Sequence, residues 1–170
     1  MTKPYAFVVL NPVAGTTDPE RLERRIIRRF ESSGWTLEIH RTEAQEQIPK
    51  IVSRAVESRP DMVVAVGGDG TVSEVADGLV GTGVPLGLIP AGTGNVLARD
   101  LEIPLMSPRA IRLLVGPHKT REIDALRIND RHFFLNVSIG TSAAAMHDTK
   151  RDEKRQFGFL AYIGTGIQKL

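Results

Sequence analysis

Two short stretches carry the residues best suited to chemistry. The first, VVAVGGDGTVSEV at residues 63–75, runs from a buried strand through Gly67, Gly68, Asp69, Gly70 and Thr71 into an amphipathic pattern. A strand, a glycine turn and a helix start aim unpaired backbone N–H groups and the positive end of a helix dipole at one point, which favours phosphate. The glycines remove side chains that would hold phosphate oxygens away, and Thr71 adds a hydroxyl. Asp69 does not fit this picture alone, because a carboxylate repels phosphate. It fits if a divalent cation lies between them or if it handles a reacting hydroxyl. The plain alternative is a tight turn with an aspartate cap. Neither the Walker A lysine pattern nor G-x-G-x-x-G is present.

The second stretch, AGTGN at residues 91–95, is another glycine turn before a short helix. Gly92, Thr93 and Asn95 offer a second set of donors, and Asn95 is expected to cap the helix. Arg99 lies one turn further on, able to reach a phosphate or to pair with a surface carboxylate. Two such turns at one sheet edge suit a ligand with several phosphates, or one phosphate in transfer.

The elements that must position these turns follow from periodicity. Tyr5–Leu10 is a continuous apolar run, as expected of a strand covered on both faces. Asp18 caps a helix with Pro19 at its first position, and Leu22, Ile26, Ile27 and Phe30 mark its buried side until Gly34. Strands are expected at residues 35–40, 61–66 and 86–89. Helices are expected around Ile48 to Val56, with Pro49 near the start, and from Thr71 to Leu79. The first ninety residues thus read β-α-β-α-β-α-β, an α/β fold with a mostly parallel sheet flanked by helices. In such a sheet ligands bind beyond the carboxyl ends of the strands. Asn11, Gly15, Thr42, Asp69 and Thr93 each fall just past a strand, at that end.

After residue 90 a helix is expected at 108–114, then two strands at 121–128 and 132–139 joined at Asn129, Asp130 and Arg131. The expected division is an α/β nucleotide-binding domain at 1–125 and the start of an incomplete β-rich domain at 126–170. The unfinished β region offers edges that pair between chains, which allows a homodimer.

Composition narrows the function. The 170 residues, 41% hydrophobic and 25% charged, describe a globular chain and not a disordered one. A net charge of +2 gives no case for a nucleic-acid partner. The absence of cysteine excludes disulfides, thiolate catalysis and cysteine-ligated zinc, and suits a cytoplasmic setting. No apolar run is long enough to span a bilayer, so any membrane contact is expected to be peripheral. The four histidines, His40, His118, His132 and His147, show no metal spacing. The arginines at 21, 24, 25, 28 and 29, and the run KRDEKR at 150–155, read as solvated, with attraction to anionic lipid headgroups as the functional alternative for that run.

The stretches NPVAG, VVAVGGDGTVSEV, GLIPAGTGNVLARDL, REIDALRIND and FFLNVSIGTSAAA, in this order, resemble the diacylglycerol kinase catalytic-domain family. GGDGT also occurs in NAD kinases; its pairing with PAGTGNVLAR is similar to the lipid-kinase branch. The resemblance implies transfer of the γ-phosphate of ATP, with Mg²⁺, to a lipid alcohol at the inner membrane face. By position it assigns Asn11, Thr42, Gly67, Gly68, Gly70 and Thr71 to the nucleotide, with Glu74 supporting. It sets Asp69 facing the reacting phosphate and its metal, makes Thr93, Asn95 and Arg99 a second wall, and adds Asp124 to an acidic, metal-holding network. It further implies a C-terminal β-sandwich carrying a catalytic base, so that residues 1–170 would be an N-terminal fragment, inactive alone. Many relatives have an aspartate where Val96 stands. An NAD kinase-like enzyme and a non-catalytic nucleotide-binding or scaffold module are the rival readings.

Overall fold

In the computed structural model, the structure describes residues 2–134. The expectations for residues 135–170, including the far end of the second expected hairpin strand, His147 and the bulk of the β-rich region, lie outside the described residues.

Four parallel strands form the central sheet: β1 (Tyr5–Leu10), β2 (Thr36–Arg41), β3 (Met62–Gly67) and β4 (Leu86–Pro90). Their spatial order is β2-β1-β3-β4. The chain steps from β1 outward to β2, then crosses to the other side of β1 for β3. The direction of winding therefore reverses between β1 and β3, and loops leaving those two strands open a crevice at the carboxyl edge. Register carries this alignment through: Leu10 pairs with Val66, and Gly67 with Pro90.

Burial explains the strand compositions. β3 is buried at every residue and β1 at all but its first, as expected of central strands covered on both faces. The edge strand β2 alternates and is half-exposed. Helix α1 (Pro19–Ser32) starts where Asp18 accepts hydrogen bonds from the N–H groups of Glu20 and Arg21, with Pro19 at its first turn. Its buried side, Leu22, Ile26 and Phe30, packs with Ala6, Val8, Leu10, Val64 and Val66. Trp35 meets Phe30 edge to face, with ring centroids 5.7 Å apart.

Helix α2 (Ile48–Val56) and helix α3 (Asp69–Leu79) pack on each other. Gly78 permits this approach: a Cβ there would lie 2.6 Å from the carbonyl oxygen of Pro49. The short helix α4 (Val96–Asp100) follows β4, and α5 (Ser107–Val115) lies beside α1, contributing Ile111 and Leu114 to the same core as Phe30.

Among the described residues the β5–β6 hairpin is shorter than expected. β5 (Leu126–Ile128) pairs antiparallel with β6 (Arg131–Phe133), and residues 121–125 are exposed and form no strand. The described ladder runs from Leu126–Phe133 to Ile128–Arg131, and the positions opposite residues 121–124 lie outside the described residues. Asp77 of α3 holds this hairpin: its Oδ1 accepts the backbone N–H of His132 at 3.0 Å and meets the His132 Nδ1 at 2.8 Å.

Phe30 is fully buried between strand and helix. Phe30→Ala is expected to cost about 3–5 kcal/mol in unfolding free energy, measured by urea titration of the two proteins.

Candidate active site

Three loops meet at the carboxyl edge of the sheet, those leaving β1, β3 and β4. Each joins the next through an identified contact. The Asn11 N–H donates to the Val66 carbonyl at 2.9 Å, extending the β1–β3 ladder by one rung. Its side chain then works in two directions. Oδ1 accepts the Val13 N–H at 3.1 Å and shapes its own loop. Nδ2 donates to the Thr71 Oγ1 at 2.9 Å, reaching the first turn of α3.

Thr71 is the one buried polar residue among the described residues, at 6% exposure. Its hydroxyl accepts from Asn11 and retains a proton to donate. A Cβ on Gly67 would stand 2.5 Å from that oxygen, so the threonine fills the space a side chain would take. Gly68 is the N-cap of α3, and no described side chain caps the helix. The N–H groups of Asp69, Gly70 and Thr71 are consequently the orphan donors of the first turn. Nothing lies within 4 Å of where a Gly70 Cβ would be.

The turn after β4 closes against this one. Ala91 N–H donates to the Gly67 carbonyl at 2.9 Å. A Cβ on Gly92 would collide with the Gly68 Cα, and a Cβ on Gly15, at φ 63°, with the Ala91 carbonyl oxygen. The loops are in backbone contact that no side chain could enter.

Asn95 departs from expectation. It takes the N-cap position of α4, but in the left-handed region, at φ 50°, and without capping the helix with its side chain. Instead Oδ1 accepts the Gly92 N–H at 3.1 Å and Nδ2 donates to the Gly92 carbonyl at 2.7 Å. Both ends of the amide fold the turn back on itself. The α4 N–H at Val96 is taken by Asp69 Oδ1 at 2.6 Å. The cap therefore comes from the other turn, and Asp69 is the strut between them. The remaining oxygen, Oδ2, faces Gly94, whose Cβ would approach it to 2.7 Å.

Among the described residues Arg99 pairs with no carboxylate: its Nε donates to the Gly94 carbonyl at 2.9 Å. Thr93 and Gly94 are exposed at the tip of the turn. Thr42 continues the β2 side, its N–H donating to the Leu10 carbonyl at 2.9 Å. The loop after it is held by Glu46, whose Oε2 accepts the Glu43 N–H at 2.8 Å and meets His40 Nε2 at 3.0 Å. The Glu43 N–H first, then His40, hold the Glu46 carboxyl below the usual glutamate range. Glu74 lies one turn into α3 and makes no hydrogen bond or ion pair with a described residue.

Asp124 is not brought to this site. It lies in a cleft with Val84 and Pro85, at the amino end of β4, whereas Asp69 stands past the carboxyl end of β3. Among the described residues no group of three histidine, cysteine, aspartate or glutamate side chains gathers to hold a metal. Sequence reasoning missed two participants, the Val96 N–H and the Ala91 carbonyl. Both are backbone groups whose role depends on β3 and β4 being neighbours, which no side-chain pattern announces.

The family described as "Diacylglycerol kinase catalytic domain" matches residues 5–128, and the chain belongs to it. It is 29% identical to the diacylglycerol kinase of Bacillus subtilis (strain 168), over 97% of this chain and 55% of that one. An uncharacterized protein of Synechocystis is 35% identical, over 95% of this chain and 40% of its own. Among solved structures, a crystal structure of a diacylglycerol kinase from Bacillus anthracis str. Sterne superposes with a TM-score of 0.68 at 29% identity, covering 78% of this chain and 46% of that one. The chain spans about half the length of the curated relatives it matches.

Two outcomes are expected. Asp69→Ala removes the acceptor that caps α4 and should destabilise the protein by about 1 kcal/mol, while Asp69→Asn, which keeps an oxygen there, should cost less; thermal melts compare them. Glu46 is bound more strongly as a carboxylate, so its contribution is present above its ordinary pKa of 4.5 and fades as pH falls through the lowered value. Amide exchange at Glu43 should accordingly lose protection in acid, and Glu46→Ala should remove that protection at neutral pH.

Proposed function

We propose that this chain forms the nucleotide-binding part of an ATP-dependent lipid kinase, which transfers the γ-phosphate to a lipid hydroxyl. The observation that carries the reading is the convergence of two glycine turns, with the amides of Asp69, Gly70 and Thr71 uncapped by any described side chain. A polyphosphate suits this place because the start of α3 is clear of side chains: nothing lies within 4 Å of where a Gly70 Cβ would be.

ATP with Mg²⁺ would supply the transferable phosphoryl group and neutralise its charge. The chain's own residues orient and bind. The α3 amides and the Thr71 hydroxyl donate to phosphate oxygens, while Asn11 keeps Thr71 in position. Arg99 braces the second turn through Gly94 and adds positive charge beside it. Thr42, Gly15, Thr93 and Asn95 shape the walls. Asp69 fits a single oxygen contact to a cation held chiefly by phosphates, since its other oxygen is engaged by Val96. Asp124 has no part in this arrangement. A division near residue 125, with the acceptor lipid held largely by a β-rich domain beyond it, completes the proposal; the relatives, of which this chain covers 54–55%, are long enough to carry such a domain.

The test is an ATP titration of the chain by calorimetry, with Gly70→Val, whose side chain would enter open space at the first turn of α3, as the comparison. Binding that weakens at least tenfold in the variant, with an unchanged melting profile, is the expected result. Equal affinity in both would remove the two-turn site from consideration. Phosphoryl transfer assayed on the whole polypeptide with diacylglycerol and with NAD separates a lipid kinase from an NAD kinase.

A further inference from the structure

Helices α1 and α5 lie side by side on one face of the sheet. Together they carry seven arginines against three glutamates, in a chain whose net charge is only +2. Between them runs a groove of about 360 Å³ whose charged lining is entirely cationic: Arg25, Arg28 and Arg29 from α1, and Arg112 from α5. Among the described residues none of these four forms a salt bridge, whereas Arg24 and Arg41 pair with Glu20 and Glu23. Four guanidinium groups gathered without a counter-charge repel one another, and an anionic partner would relieve that repulsion.

We propose that this face docks on the anionic headgroups of a phospholipid bilayer. Three features favour a bilayer. The groove arginines come from two separate helices, α1 and α5, which suits a surface of several headgroups more than a single phosphate. Met106 and Leu105, 60% and 39% exposed, stand immediately before α5 and next to the groove residue Pro108. Apolar side chains beside a cationic helix face are what an interface between headgroups and acyl chains accepts. The groove lining also holds no aromatic side chain on which a nucleic-acid base would stack.

The choice of a bilayer over a soluble polyanion rests on the lipid-kinase reading; the arginine groove itself does not. The experiment is sedimentation of the chain with vesicles, without nucleotide. One set is phosphatidylcholine alone and the other equal parts phosphatidylcholine and phosphatidylglycerol. Binding to the mixed vesicles only, weakened by added salt, is expected. The triple variant Arg25→Gln, Arg28→Gln, Arg112→Gln should lose about fivefold in partitioning per guanidinium removed. Met106→Gln should weaken binding by several fold. The control Lys50→Gln, Arg54→Gln on α2, which removes charge from the opposite face, should leave it unchanged. Circular dichroism verifies that each variant folds. Equal binding by triple variant and parent, or an equal loss in the α2 control, would overturn the proposal. So would binding to a single-stranded RNA or to inorganic phosphate in place of vesicles. If vesicles fail while ATP still binds, the docking surface is wrong and the nucleotide site stands.

Discussion

The candidate site depends on one contact between two turns. Asp69 reaches from the start of α3 to the first N–H of α4, and beneath that hydrogen bond the backbones at Gly68 and Gly92 touch. The parallel pairing of β3 with β4 brings the two turns together, since Gly67 and Pro90 share a rung. Everything else at the carboxyl edge is arranged around that junction. Asn11 ties in the loop from β1 through Thr71, and Gly15 seats the same loop against Ala91. The result is a rim of three loops whose spacing is set by main-chain contact, with side chains acting as ties.

This accounts for the residue that the sequence made hardest to interpret. A carboxylate beside a bound phosphate would be repelled unless something offset its charge. Here the Val96 N–H does so in part, at a helix N-terminus whose dipole also favours a negative group. Of the sequence alternatives, the aspartate cap is the one seen here: one oxygen takes the Val96 N–H, and the other lies beside Gly94. The cap serves the neighbouring helix, not the one Asp69 belongs to.

Much of the architecture was legible because burial and helical periodicity write directly into residue types. Tyr5–Leu10 reads as a covered strand, and Asp18 with Pro19 announces the start of α1. Strand order was not legible, since parallel strands of similar composition do not state their neighbours. One local expectation failed for a definite reason. Asn95 was expected to cap by its residue type, but its left-handed backbone turns the amide toward Gly92. At the site, the chemistry-bearing side chains could be chosen from the sequence. The contacts that hold them could not, because the Val96 N–H and Ala91 carbonyl belong to the main chain and are the same for almost every residue type.

That last point bears on how the sequence can drift at residue 96. The peptide nitrogen there, and not the valine side chain, receives the Asp69 oxygen. Exchange of the half-exposed isopropyl group for another side chain therefore leaves the link intact. Proline is the exception, because its ring nitrogen carries no hydrogen to give. A position that seems open to variation is thus closed to one residue, for a reason invisible in the side chain it now bears.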